Sequence, residues 1–119
     1  MTIIIFGKKG CGKCGILKSR ISKLLSTDNY NMFSVEAFEL DDDEDVIVRF
    51  CDLECLNFSS IPSFYIEKEG VPLKPKKFNT YSLPTILGLQ TDYSKGGTMT
   101  PTMIEQVLTE AKQQVKKNE

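Results

Sequence analysis

Two cysteines two residues apart, in Cys11-Gly12-Lys13-Cys14, are the side chains of this chain best suited to chemistry. They follow an apolar run, Ile3-Ile4-Ile5-Phe6, and open a segment whose apolar residues Cys14, Leu17, Ile21 and Leu24 recur at helical spacing. A strand that hands over to a helix here puts Cys11 at the helix tip and Cys14 on the face of Leu17 and Ile21. At the tip, unpaired backbone N–H groups and the helix dipole stabilise negative charge. Lys8, Lys9 and Lys13 add positive potential close by in sequence. Both effects lower a thiol pKa, and the thiolate is the attacking species. An accessible thiolate with a second thiol one turn behind it forms a dithiol exchange centre. Cys11 attacks a substrate disulfide, and Cys14 resolves the mixed disulfide. The chain contains no histidine, so activation has to come from the backbone and the lysines rather than from an imidazole base.

Other chemistries share these residues. Gly7-x-x-x-x-Gly12-Lys13 matches a phosphate-binding loop up to its last position, where Cys14 replaces the hydroxyl residue that would hold Mg²⁺. Cys51 and Cys55, four apart on a second helical segment, bring the thiols to four, a set able to ligate zinc or an iron–sulfur cluster. The same two residues also read as auxiliary thiols, or as one semi-buried small side chain beside one partly exposed thiol. A protein that uses the fold only to bind partners, without catalysis, is a further alternative.

The bulk composition narrows the setting. With 119 residues the chain has the size of one domain, 1–119. Fifteen basic residues against 16 acidic give a net charge of −1, which argues against nucleic acid or a membrane surface as partner. No apolar run is long enough to span a bilayer. The apolar run that starts almost at Met1 stops at Phe6, unlike a secretory leader. The expectation is a cytoplasmic monomer, in a compartment where thiols stay reduced and a close cysteine pair is catalytic or metal-binding more often than structural.

The elements that must position the pair follow from periodicity. Residues 2–6 read as a strand buried on both faces, and residues 11–26 as a helix. Residues 33–40 read as a second strand, with Phe33, Val35 and Ala37 alternating with Ser34 and Glu36. The acidic run Asp41-Asp42-Asp43-Glu44-Asp45 reads as the solvated first turn of a helix reaching about residue 56, with Val46, Ile47, Phe50 and Leu53 inward. Ile61-Pro62 opens a third strand over 63–67, and Lys68-Glu69-Gly70 turns into a fourth over about 73–78. Residues 80–100 read as an extended loop or short extra helix. Thr100 caps a last helix that begins at Pro101 and buries Ile104, Val107, Leu108, Ala111 and Val115. The order is β-α-β-α-β-β-α, an α/β fold with a mixed four-stranded sheet flanked by helices.

Cys11-Gly12-Lys13-Cys14 after the first strand, and Ile61-Pro62 at the start of the third, resemble the thioredoxin/glutaredoxin superfamily over about residues 2–79 and 98–116. The resemblance implies a thioredoxin-like fold and a thiol–disulfide oxidoreductase. It also implies a cis Pro62 facing the cysteines, with Ile61 offering backbone groups to the bound substrate. Gly10 stands where thioredoxins carry tryptophan, and Ile5 where they carry a buried aspartate. Lys8 is similar to the glutaredoxin lysine that binds a glutathione carboxylate, and Gly96-Gly97 to the glutaredoxin diglycine. Met99 and Thr100 depart from the acidic pair that would hold the glutathione amine, and Gly12-Lys13 replaces the common Pro-Tyr. The implied partners are a disulfide-containing protein as substrate, and glutathione or a thioredoxin-reductase type enzyme as reductant, with no resident cofactor.

Overall fold

The computed structural model describes residues 1–53, 61–73 and 99–117. Strand β1 (Thr2–Gly7) leads into helix α1 (Gly12–Leu25), followed by a single 3₁₀ turn at Asp28–Tyr30. Strand β2 (Ser34–Glu39) and helix α2 (Glu44–Asp52) come next, then strands β3 (Ser63–Lys68) and β4 (Val71–Pro72), and helix α3 (Pro101–Lys117) closes the fold. The sheet order is β2-β1-β3-β4. β1 pairs parallel with β2, from Thr2↔Ser34 to Gly7↔Glu39. It pairs antiparallel with β3, from Thr2↔Glu67 to Phe6↔Ser63. The mixed four-stranded α/β sheet and the element order are those expected from the sequence.

β1 is central because its side chains suit both faces of a covered sheet. Ile3 and Ile5 join a first core with Leu17 and Ile21 of α1, Phe64 and Ile66 of β3, and Ile104, Leu108 and Ala111 of α3. Ile4 and Phe6 join a second core with Phe50 of α2, Tyr65, Leu40 and Ile61. Successive strand residues point to opposite faces, so one run of four apolar side chains feeds both layers. Phe6 lies 5.1 Å from Phe50 and 6.0 Å from Tyr65, ring centre to ring centre.

Each helix starts on its own cap. Cys11 caps α1, Asp43 caps α2 by accepting from the Asp45 amide at 2.9 Å, and Thr100 Oγ1 accepts from the Met103 amide at 3.2 Å. α1 ends where Ser26 and Thr27 hydroxyls donate to the carbonyls of Lys23 and Leu24. In the β3–β4 hairpin, Glu69 and Gly70 both have positive φ, 53° and 79°. A two-residue loop of that hand matches the twist of the strands it joins.

Three expectations differ in detail. The alternation in β2 implied a buried Val35 and Ala37, yet both are exposed, Val35 at 42%. β2 is an edge strand, and the first core is built on β1 and β3 without it. Phe33 and Leu40, just outside β2, are the ones buried. The hairpin pairs earlier than expected, at Lys68↔Val71 and Glu67↔Pro72. The second helix ends at Asp52, short of the expected 56, because Leu53 turns extended (φ −80°, ψ 106°) and its amide donates to Phe50 O at 3.2 Å. The strand over 74–78 and the 80–98 loop lie outside the described residues.

Candidate functional site

The site is assembled at the Gly7 end of β1. Beyond Gly7, Gly10 takes φ +74°, a left-handed conformation that favours glycine. Cys11 then adopts an extended conformation, φ −94° and ψ 103°, as the residue before the first turn of α1. In this position its Sγ accepts from the Cys14 amide at 3.1 Å. The sulfur therefore occupies the place that a Ser or Asp oxygen takes at an ordinary helix start. One of the helix's free N–H groups points at it.

Cys11 is half-buried and Cys14 is 4% exposed. The two are joined as a disulfide, with Cα atoms 5.3 Å apart. Cys14 sits tight against the end of β1: a methyl on Gly7 would lie 3.4 Å from its Cβ and 3.5 Å from its Sγ. The division expected from the periodicity, one sulfur at the tip and one toward the core, is the arrangement found.

Ile61 belongs to the same apolar cluster as Cys14, and Cys11 packs against that cluster. The Ile61–Pro62 peptide is cis, and both residues are buried. Chain segments 50 residues apart in sequence thus meet at the cysteine pair. Lys8 and Lys13 are exposed on either side of Cys11 in sequence, Lys8 in the loop and Lys13 in the first turn of α1.

The acidic run has two parts. Asp43, Glu44 and Asp45 form the start of α2, as expected. Asp41 and Asp42 instead reach across to the loop before the cysteines. Asp41 Oδ2 accepts from the Lys9 amide at 2.6 Å, and Asp42 Oδ1 pairs with Lys9 Nζ at 3.0 Å. The Asp42 hydrogen bond and charge raise the Lys9 pKa, so the Lys9 ammonium faces Asp42 rather than standing free beside Cys11. These two aspartates were missed as parts of the site because their contacts depend on the β1–β2 register. The signal present in the sequence was a five-residue acidic run, longer than one helix cap requires.

Cys51 is half-buried and lies in the last turn of α2. α2 begins beside the Lys9 loop, and its Arg49 reaches Glu67, which pairs with Thr2 at the far end of β1. Cys51 therefore lies toward the end of the sheet away from Cys11. Cys55 lies outside the described residues, as does Gly96-Gly97. Among the described residues, no group of three or more Cys, Asp or Glu is arranged to hold a metal ion. No described helix is long and apolar enough to cross a membrane.

No protein-family model and no curated protein matches the chain. A solved structure described as that of a malarial protein is similar in shape, with a TM-score of 0.55. The alignment covers 91% of this chain and 92% of that one at 14% sequence identity, a likeness of fold alone. The topology is thioredoxin-like, with a Cys-x-x-Cys pair at the N-terminus of the first helix.

Proposed function

We propose that the protein is a thiol–disulfide oxidoreductase of glutaredoxin or thioredoxin type, with Cys11 as nucleophile and Cys14 as resolving thiol. The observation that carries this reading is the position of Cys11 Sγ at the N-cap of α1, accepting an amide N–H while Cys14 lies buried behind it. An anionic sulfur there gains an N–H donor and the positive end of the helix dipole, which favours the thiolate. The phosphate-loop alternative is weakened by the same bond, since the Cys14 amide is directed at sulfur.

The reaction runs in two exchanges. The Cys11 thiolate attacks one sulfur of a substrate disulfide, and the other substrate sulfur leaves as a thiolate. The Cys14 thiol, once deprotonated, attacks Cys11 Sγ and expels the second substrate thiolate. The substrate gains two electrons and, in neutral form, two protons; the protein is left with the Cys11–Cys14 disulfide. Two glutathione thiols or a reductase dithiol restore it. Lys8 and Lys13 contribute positive potential to the thiolate and attract anionic groups. Ile61 and Pro62 form the surface against which the substrate chain rests.

The test is substitution of each cysteine. Cys14→Ser should accumulate a mixed disulfide through Cys11, seen by mass spectrometry. Cys11→Ser should abolish disulfide reduction, and activity that survives it would falsify the assignment. Running the assay with glutathione and with a thioredoxin reductase side by side identifies the reductant. Stoichiometric zinc or iron in anaerobically purified protein would instead favour the metal-binding alternative.

A further inference from the structure

The loop that delivers Cys11 to its capping position is tied to the β2–α2 turn at three points. The Leu40 amide donates to Gly7 O at 2.9 Å, the Lys9 amide donates to Asp41 Oδ2 at 2.6 Å, and Lys9 Nζ pairs with Asp42 Oδ1 at 3.0 Å. These ties differ in strength. The Lys9–Asp42 ion pair is exposed on both sides, 66% and 56%, and such pairs hold little. A backbone amide bonded to a carboxylate is charge-assisted and directional, and it fixes the peptide two residues upstream of the nucleophile. We propose that Asp41 is a positioning residue for Cys11: its bond to the Lys9 amide holds the loop so that Cys11 Sγ meets the Cys14 amide.

The proposal rests on the reading of Cys11 as nucleophile, and it carries an internal tension that makes it testable. A carboxylate near a forming thiolate opposes that charge, so on electrostatics alone Asp41 would slow Cys11. As a holder of the loop it speeds Cys11, because a sulfur displaced from the cap loses both the N–H and the dipole. Gly10, at φ +74°, makes the holding role necessary. A glycine populates many backbone conformations, and nothing within 4 Å of its Cβ position walls it in.

The experiment measures alkylation of Cys11 in the reduced full-length chain across pH, read at the Cys11 peptide by mass spectrometry. It compares the unmodified protein with Asp41→Asn and Asp41→Ala. Asparagine keeps an oxygen that can accept from the Lys9 amide, whereas alanine removes both acceptor and charge. The expected result is a raised apparent thiol pKa and roughly three- to tenfold slower alkylation at neutral pH for Asp41→Ala, with Asp41→Asn close to the unmodified protein. Faster alkylation in both variants would show that the charge alone matters, and unchanged alkylation in both would show that the loop is held without Asp41; either overturns the proposal. A merely structural role would lower the melting temperature of Asp41→Ala without moving the Cys11 pH profile, and that outcome also overturns it. If Asp41→Ala does not fold, the unmodified protein decides. The Lys9 amide NMR shift should titrate with a carboxyl pKa, and an amide that does not follow a carboxyl rejects the bond. Because the readout is thiol reactivity, a chain without reductase activity would defeat the oxidoreductase reading and leave this result interpretable.

Discussion

At the scale of single residues, the site depends on small side chains in particular places. Gly10 is one. A β-carbon there meets no neighbour, so the cost of Gly10→Ala is the backbone conformation alone, about 1–2 kcal/mol for an L-residue held at left-handed φ. The expected outcome is a fall in the urea midpoint of that size with an unchanged slope. Ser63 is a second case. It follows Pro62, faces Phe6 across the β1–β3 pair and is 1% exposed, and its hydroxyl has no hydrogen-bond partner among the described residues. A buried hydroxyl without a partner costs stability, because it has left water and gained nothing. Ser63→Ala should therefore leave stability unchanged or raise it by about 1 kcal/mol, measured by the same urea titration. A loss of more than that would mean the hydroxyl has a partner.

At the scale of elements, α2 is fastened separately at its two ends. Its start lies at Asp43, beside the cysteine loop, and its last turns are held by Arg49, which bonds both Glu67 and the Tyr65 hydroxyl, the latter at 2.8 Å. Arg49 also stands over the Phe38 ring, 5.9 Å from its centre. Removing one partner of a wholly buried ion pair costs about 3–5 kcal/mol. Here Glu67 is nearly buried but the guanidinium is 43% exposed, so water screens the pair and the expected loss for Arg49→Met is about 1–2 kcal/mol. Cys11 alkylation should not change in that variant, because the tie is at the Thr2 end of the sheet. Equal loss of stability and of Cys11 reactivity would show that α2 transmits strain along its length. How much was legible in the sequence divides along the same line. The helix starts at Cys11 and Thr100 were readable because a cap and a first turn are local. The Thr100 cap agrees with expectation, and so does the burial of Cys14, Leu17 and Ile21 along α1. Arg49 meeting Glu67, Asp41 meeting the Lys9 amide, and the exposure of Val35 were not readable. Each depends on which strand lies at the edge and on how β1 registers with its neighbours, a property of residues more than 15 apart.

At the scale of the whole molecule, the second core gives the protein a response to pH at its alkaline end. The first core, between the sheet and α1 and α3, is built mainly from apolar side chains, with Tyr30 as its tyrosine, whose hydroxyl donates to Glu105. The second contains Tyr65, whose ring stacks near Phe6 and whose hydroxyl donates to Glu67. Burial raises the Tyr65 pKa above its ordinary 10, and the hydrogen bond to the Glu67 carboxylate raises it further, while the Arg49 charge works in the opposite direction. A group whose folded pKa lies above its unfolded value keeps its proton longer in the native state. Its stabilisation is complete below about pH 10, where both states are protonated, and is lost as pH rises through the folded value. The prediction is a stability that falls between pH 9 and pH 11 more steeply than in Tyr65→Phe, which has no proton to lose. Urea midpoints at the two pH values, taken for both proteins, measure it. The difference between the proteins, rather than the fall in either, isolates Tyr65. Equal falls would mean that the Tyr65 hydroxyl reaches water in solution and that the second core is looser than the contacts around Glu67 imply.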